Sequence, residues 1–128
     1  MEREIKFRGY NYQYEKWFYG SLFIQNYDND FMLSSSRTMI IDDRGYSVMV
    51  DNDTIGQYTG LKDKNGVEVY EGDKVMFDYE WTKPDEIGVV TWNKDTASFQ
   101  IKGHIPSSSM KRLDRMKVIG SVYENEVD

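Results

Sequence analysis

The sequence predicts an all-β fold with at most short helical turns, and three observations carry that prediction. Aromatic residues make up 15% of the chain, including ten tyrosines, and rings of this kind pack well on a pleated, half-buried surface. Short apolar runs are repeatedly broken by Gly, Asn, Asp and Ser, which is strand-and-turn punctuation. The stretch from Thr54 to Phe77, TIGQYTGLKDKNGVEVYEGDKVMF, combines alternation with the Asn65-Gly66 hairpin signal and a second turn at Glu71-Gly72-Asp73.

Taken in order, Ile5 to Arg8 alternates apolar and basic residues and reads as a strand ending at Gly9. Tyr10, Tyr12 and Tyr14 recur at period two, which lines one face of a strand or scatters the rings if the segment is a turn. Trp17 to Gln25 is nearly continuous in apolar residues and is expected to be covered on both faces. Gly20 within it marks a bulge or the close approach of another backbone. Asn26 to Asp30 breaks the pattern, Phe31-Met32-Leu33 is a short apolar patch, and Ser34-Ser35-Ser36 reads as loop.

Thr38 to Ile41 and Tyr46 to Val50 form a hairpin across Asp42-Asp43-Arg44-Gly45, with Gly45 free to take positive φ. Gln57 to Leu61 is a strand leading into the Asn65-Gly66 turn, and Val67, Val69, Val75 and Phe77 supply core side chains. Lys74 to Tyr79 continues as strand, and Glu80 to Glu86 is a charged loop holding Trp81 and Pro84. Ile87 to Trp92 and Ser98 to Lys102 make a last hairpin. Met110, Leu113 and Met116 recur at helical spacing, Val118 to Tyr123 closes the fold as a strand, and the acidic tail Glu124 to Asp128 frays. By length, 128 residues make a single domain, with an N-terminal β lobe (1–53) and a C-terminal lobe (54–128) as its inner division. The order of strands after Tyr58 suits a small SH3-like barrel.

Composition narrows the function classes. With no cysteine, disulfide scaffolds, thiol catalysis and thiolate zinc sites are excluded. A net charge of −6 argues against duplex binding, which needs a basic face to neutralise phosphates. The charged start Met1-Glu2-Arg3-Glu4 lacks a signal-peptide pattern and no apolar run suits a membrane span, so the expectation is a cytoplasmic protein with no membrane partner.

The segments Arg3-Glu4-Ile5-Lys6-Phe7-Arg8-Gly9 and Lys16-Trp17-Phe18-Tyr19-Gly20 resemble those of the YopX-like family of phage and prophage proteins. So do Ile55-Gly56-Gln57-Tyr58-Thr59-Gly60-Leu61-Lys62-Asp63-Lys64-Asn65-Gly66, Tyr70-Glu71-Gly72-Asp73 and the closing Val118-Ile119-Gly120-Ser121-Val122-Tyr123-Glu124-Asn125. Residues 31–50 and the loop 81–84 depart from the family pattern. The resemblance implies a largely β, phage-encoded accessory protein of the bacterial host cytosol and supplies no catalytic residues.

Asp63, Glu71 and Asp73 are the carboxylates best placed to converge, but turn carboxylates more often accept hydrogen bonds from nearby backbone N–H groups. Asp42, Asp43, Asp51 and Asp53 earn the same reading, and Asp42 to Tyr46 lacks the ligand spacing of a calcium loop. His104 is the only histidine, no serine near it sits in a G-x-S-x-G elbow, and no phosphate loop is present. The expectation is therefore no enzyme and no cofactor or metal, with catalytic, cofactor and metal residues all unassigned.

Tyr10, Tyr12, Tyr14, Trp17 and Trp81 form the expected interaction surface, since rings of this kind anchor protein interfaces. The expected partners are further copies of the chain, as a homo-oligomer, and an unidentified phage or host protein. On that reading Trp81→Ala weakens association and leaves the fold intact. The alternative is single-stranded nucleic-acid binding, with rings beside basic residues and Lys111, Arg112, Arg115 and Lys117 as contacts.

Overall fold

The computed structural model of the chain describes residues 3–28, 34–77, 87–103 and 107–123. Among these residues it is all-β: ten strands, every ladder antiparallel, with 3₁₀ segments at Asn52–Thr54 and Ser107–Arg115. The chain divides into two compact units, Ile5–Gln57 and Tyr58–Asp128 with Met1–Glu4. The sequence readings at Phe31-Met32-Leu33, the Trp81–Pro84 loop, His104 and the tail from Glu124 lie outside the described residues.

In the Ile5–Gln57 unit, β1 (Phe7–Asn11), β2 (Lys16–Asp28), β3 (Ser34–Ile41) and β4 (Ser47–Met49) form a meander in the order β4-β3-β2-β1. The first residues of β5 (Gly56–Lys62) pair with β1 at Phe7↔Gln57 and Arg8↔Gly56. The tyrosine series does not line one strand. β1 ends at Asn11, whose Oδ1 accepts from the Tyr14 N–H at 2.8 Å, and Glu15 takes φ 55°. An Asn side chain that captures a backbone donor a few residues on builds a turn in place of a ladder. Tyr10 therefore stays in β1 while Tyr12 and Tyr14 ride on the turn.

β2 carries the close approach expected at Gly20: a Cβ there would lie 2.0 Å from the Ile41 carbonyl oxygen. The expected two-sided cover of Trp17 to Gln25 is not formed, for Phe23 and Ile24 are 37% and 61% exposed. Neighbouring strand residues point to opposite faces, so both faces of β2 are open here: beyond Gly20 the strand outruns β1 and its ladder is with β3. Ser34-Ser35-Ser36, expected as loop, is strand, because β2 is long enough to pair with it in unbroken register from Ser21↔Ile41 to Asp28↔Ser34. The Asp42–Gly45 hairpin forms as expected, with Gly45 at φ 91° and the Asp42 N–H donating to the Tyr46 carbonyl at 2.9 Å.

The meander curls. Asp51 N–H donates to the Tyr10 carbonyl at 2.8 Å, the Asn11 side-chain amide donates to the Met49 carbonyl at 2.7 Å, and a Cβ on Gly9 would meet Val50 Cγ2 at 2.6 Å. Thr54, buried, ties the 3₁₀ turn to β1 by accepting from the Tyr10 N–H and donating to the Asp51 carbonyl. Among the described residues, Ile40 and Val50 are the buried aliphatics of this unit.

In the other unit, β5 turns through Asp63–Val67 into β6 (Glu68–Tyr70), with Gly66 at φ 80°. β7 (Asp73–Phe77), β8 (Ile87–Asn93), β9 (Ser98–Gly103) and β10 (Met116–Ser121) follow in the order β10-β7-β8-β9. Among the described residues no ladder joins β9 to β10. Val69, Val75, Val90, Ile101, Leu113 and Met116 make the core, with Phe77, Phe99, Met110 and Val118 packed around it. Val67, expected to face the core, is 48% exposed because the turn it closes points outward. The three-residue spacing of Met110, Leu113 and Met116 is a 3₁₀ repeat. That segment departs from helical geometry at Arg112 (φ −111°, ψ 23°), and Met116 already begins β10. The corner at Gly72 (φ 94°) is held by its N–H on the Val90 carbonyl at 2.8 Å and its own carbonyl accepting from Val122 N–H at 3.0 Å.

Candidate functional site

Two hairpin turns of the Ile5–Gln57 unit meet at one end of the curled sheet and enclose a groove of about 290 Å³. Mouths of small β structures are a recurrent place for ligand and partner contacts. Its floor is apolar: Ile40 is buried, and Phe18 and Val48 are half-buried beside it. One wall comes from the β1–β2 turn, where Tyr14 is 62% exposed and its ring meets Phe18 edge-on at 6.1 Å. The Lys16 ammonium lies 5.0 Å from the Phe18 ring centre. The other wall is the β3–β4 turn, where Tyr46 is 69% exposed and the Arg44 guanidinium lies 5.1 Å over its ring. Cation–ring contacts of this kind keep both partners ordered while leaving the outer ring face open.

Asp42 fixes the second wall. One carboxylate oxygen accepts from the Arg44 and Tyr46 N–H groups at 2.9 and 3.0 Å, and the other meets Arg44 Nη2 at 3.3 Å. Burial acts to raise this carboxyl, but the Tyr46 and Arg44 backbone donors and the Arg44 guanidinium outweigh it and hold it below its ordinary value of 3.8. A carboxyl depressed in the folded state stabilises above its unfolded pKa and loses that contribution as pH falls through the folded one. The turn should therefore hold throughout neutral and mildly acidic pH. Followed by NMR, the Arg44 and Tyr46 amide shifts are expected to titrate with a midpoint below 3.8. A midpoint above that value would show that these bonds do not form.

The residues singled out from sequence are divided by the structure. Tyr10, expected on the interaction surface, is 4% exposed and packs edge-on against Tyr12 at 5.0 Å and Trp17 at 5.3 Å. Trp17 is half-buried, with the Arg8 guanidinium 4.6 Å above its ring, and it pairs with Tyr10 across the β1–β2 ladder. Strand pairing placed these two rings together, and their mutual packing withdraws them from solvent. Tyr12 is exposed at 45% outside the groove, Tyr14 lines it, and Trp81 lies outside the described residues. Lys111, Arg112 and Arg115 are exposed on the 3₁₀ segment and Lys117 is half-buried in β10.

The turn carboxylates do the backbone work expected of them. Asp63, buried, accepts from Asn65 and Val67 N–H with one oxygen and from Val118 N–H with the other. Asp73, also buried, accepts from Tyr70 N–H at 2.8 Å, and Asp51 caps the 3₁₀ turn by accepting from Asp53 N–H at 2.9 Å. Among the described residues no three His, Asp or Glu side chains gather as metal ligands. Phe18, Arg44 and Tyr46 were not singled out by sequence. The signal was available: in an up-and-down meander the first and third turns fall at the same end of the sheet, which brings the Tyr12–Glu15 turn beside Asp42–Gly45.

Fold and groove together define an all-β protein with an aromatic cleft rimmed by cations. The chain belongs to the YopX family: the model described as YopX protein matches residues 6–127. It is similar in fold to a solved structure, protein EF1440 from Enterococcus faecalis, with a TM-score of 0.55 and 22% identity over 96% of each chain. No curated protein matches it. Among the described residues no helix is long and apolar enough to cross a membrane.

Proposed function

We propose that this YopX family member is a phage-encoded accessory protein of the host cytosol that acts through protein contacts, without catalysis, and associates with itself. The groove carries this reading: Tyr14 and Tyr46 are 62% and 69% exposed on opposite walls above an apolar floor, with Arg44 and Lys16 at the rim. Tyr and Arg around a desolvated centre are the composition of interface hot spots. The buried turn carboxylates support a non-catalytic role, because both Asp63 oxygens and one Asp73 oxygen accept from backbone N–H groups. Sedimentation of the purified chain across concentrations, with capture of partners from prophage-induced host cells, tests it. A chain that stays monomeric and captures nothing would refute it.

A second reading, single-stranded nucleic-acid binding, is favoured by the exposure of Lys111, Arg112 and Arg115 on one short segment. It predicts an oligonucleotide affinity that falls steeply with salt. No binding at low salt removes it.

A further inference from the structure

We propose that the groove at the open end of the Ile5–Gln57 sheet is a two-fold interface that takes the same groove of a second copy of this chain. The proposal rests on the self-association reading and names the surface responsible.

The patch holds both halves of a contact. Its concave part is the apolar floor of Phe18, Ile40 and Val48. Its convex part is Tyr46, which stands 69% exposed on the adjoining turn and is steadied by Arg44 above its ring. A contact related by a two-fold axis requires one patch to be its own complement, so that knob and hole lie side by side on each copy. Here a two-fold arrangement seats each Tyr46 in the other copy's groove, against Tyr14 and Phe18.

Charge selects the same occupant. The two turns interleave signs: Glu15 and Lys16 on one, Asp42, Asp43 and Arg44 on the other. A run of phosphates would meet Asp42 and Asp43, and a basic partner would meet Lys16 and Arg44. A second copy presents the matching opposite at each place, with Lys16 of one copy facing Asp43 of the other. Asp42 is committed to its own turn and to Arg44. Lys16 and Asp43 are both exposed, so each can be exchanged without touching the core.

The test is sedimentation equilibrium on the full chain and three variants, with circular dichroism to confirm that each is folded. Tyr46→Ala is expected to weaken self-association by roughly 30-fold or more, the loss expected for an aromatic anchor. Lys16→Glu should weaken it by about 10-fold or more by placing like charges together across the interface. Lys16→Glu combined with Asp43→Lys should return it to within about threefold of the parent, since the pair is reversed and complementary again.

A parent chain that is monomeric at all concentrations overturns the self-association reading itself. An oligomeric parent whose mass none of the variants changes overturns this surface and leaves that reading standing. Weakening by Lys16→Glu without rescue by the double variant overturns the two-fold pairing.

Discussion

Gly20→Ala is expected to lower the melting temperature by about 10–20 °C, the size of shift that ~3–5 kcal/mol produces in a domain of this length. The reason is local and steric. A Cβ at Gly20 would sit 2.0 Å from the Ile41 carbonyl oxygen, 2.9 Å from the Ile41 carbonyl carbon and 3.2 Å from Asp42 Cα. All three are backbone atoms at the point where β3 leaves β2 for the hairpin turn, so no side chain can rotate aside. Relief requires the ladder to open at Ser21↔Ile41. Gly45→Ala provides the contrast. Its φ of 91° also favours glycine, yet nothing lies within 4 Å of the added Cβ, so only about 1 kcal/mol of backbone strain is expected. Equal melting temperatures for the two variants, read by calorimetry, would show that the close approach at Gly20 carries no weight.

Asp63→Ala is the second large effect, expected to cost about 3 kcal/mol because it strips the acceptor from three backbone N–H groups at a buried site. Those donors are Asn65 and Val67 at 2.8 and 2.9 Å, and Val118 at 2.9 Å. Asp63→Asn separates the two oxygens. Its carbonyl can still serve Asn65 and Val67, while its amide presents a donor to the Val118 N–H, so about 1–2 kcal/mol is lost and at one end only. Hydrogen exchange provides the reading: in Asp63→Asn the Val118 amide should lose protection while Asn65 and Val67 keep theirs. Uniform loss at all three, or none, would contradict the division of labour between the oxygens.

Most of the sheet was legible because its turns carry their own chemistry. Asn65-Gly66, Asp42 to Gly45 and Gly72 each ask for positive φ where glycine stands, and each turn forms there. What could not be read was whatever depends on a neighbour distant in sequence. Ser34-Ser35-Ser36 has the composition of a loop, and only the unusual length of β2 makes it a strand. Tyr10 and Tyr14 look alike in a period-two series, and one hydrogen bond from Tyr14 N–H to Asn11 sends the first inside and the second out. The groove was half visible: Tyr14 was marked by its ring, whereas Tyr46 and Arg44 gain meaning only when their turn is set beside residues some thirty positions earlier. The carboxylates were legible in role because turn geometry satisfies them locally, but the reach of Asp63 to Val118 was not.

That reach has a consequence for how the chain matures on the ribosome. The turn at Asp63 and the strand that completes it are 55 residues apart. At elongation speeds of about 5–20 residues per second, the gap amounts to roughly 3–11 s. Throughout that interval the nascent Tyr58 hairpin has a buried-type carboxylate without its last donor and a β7 edge without β10. A chain that lacks Met116–Ser121 should therefore leave this half open to proteases, and adding that strand should close it in a single step.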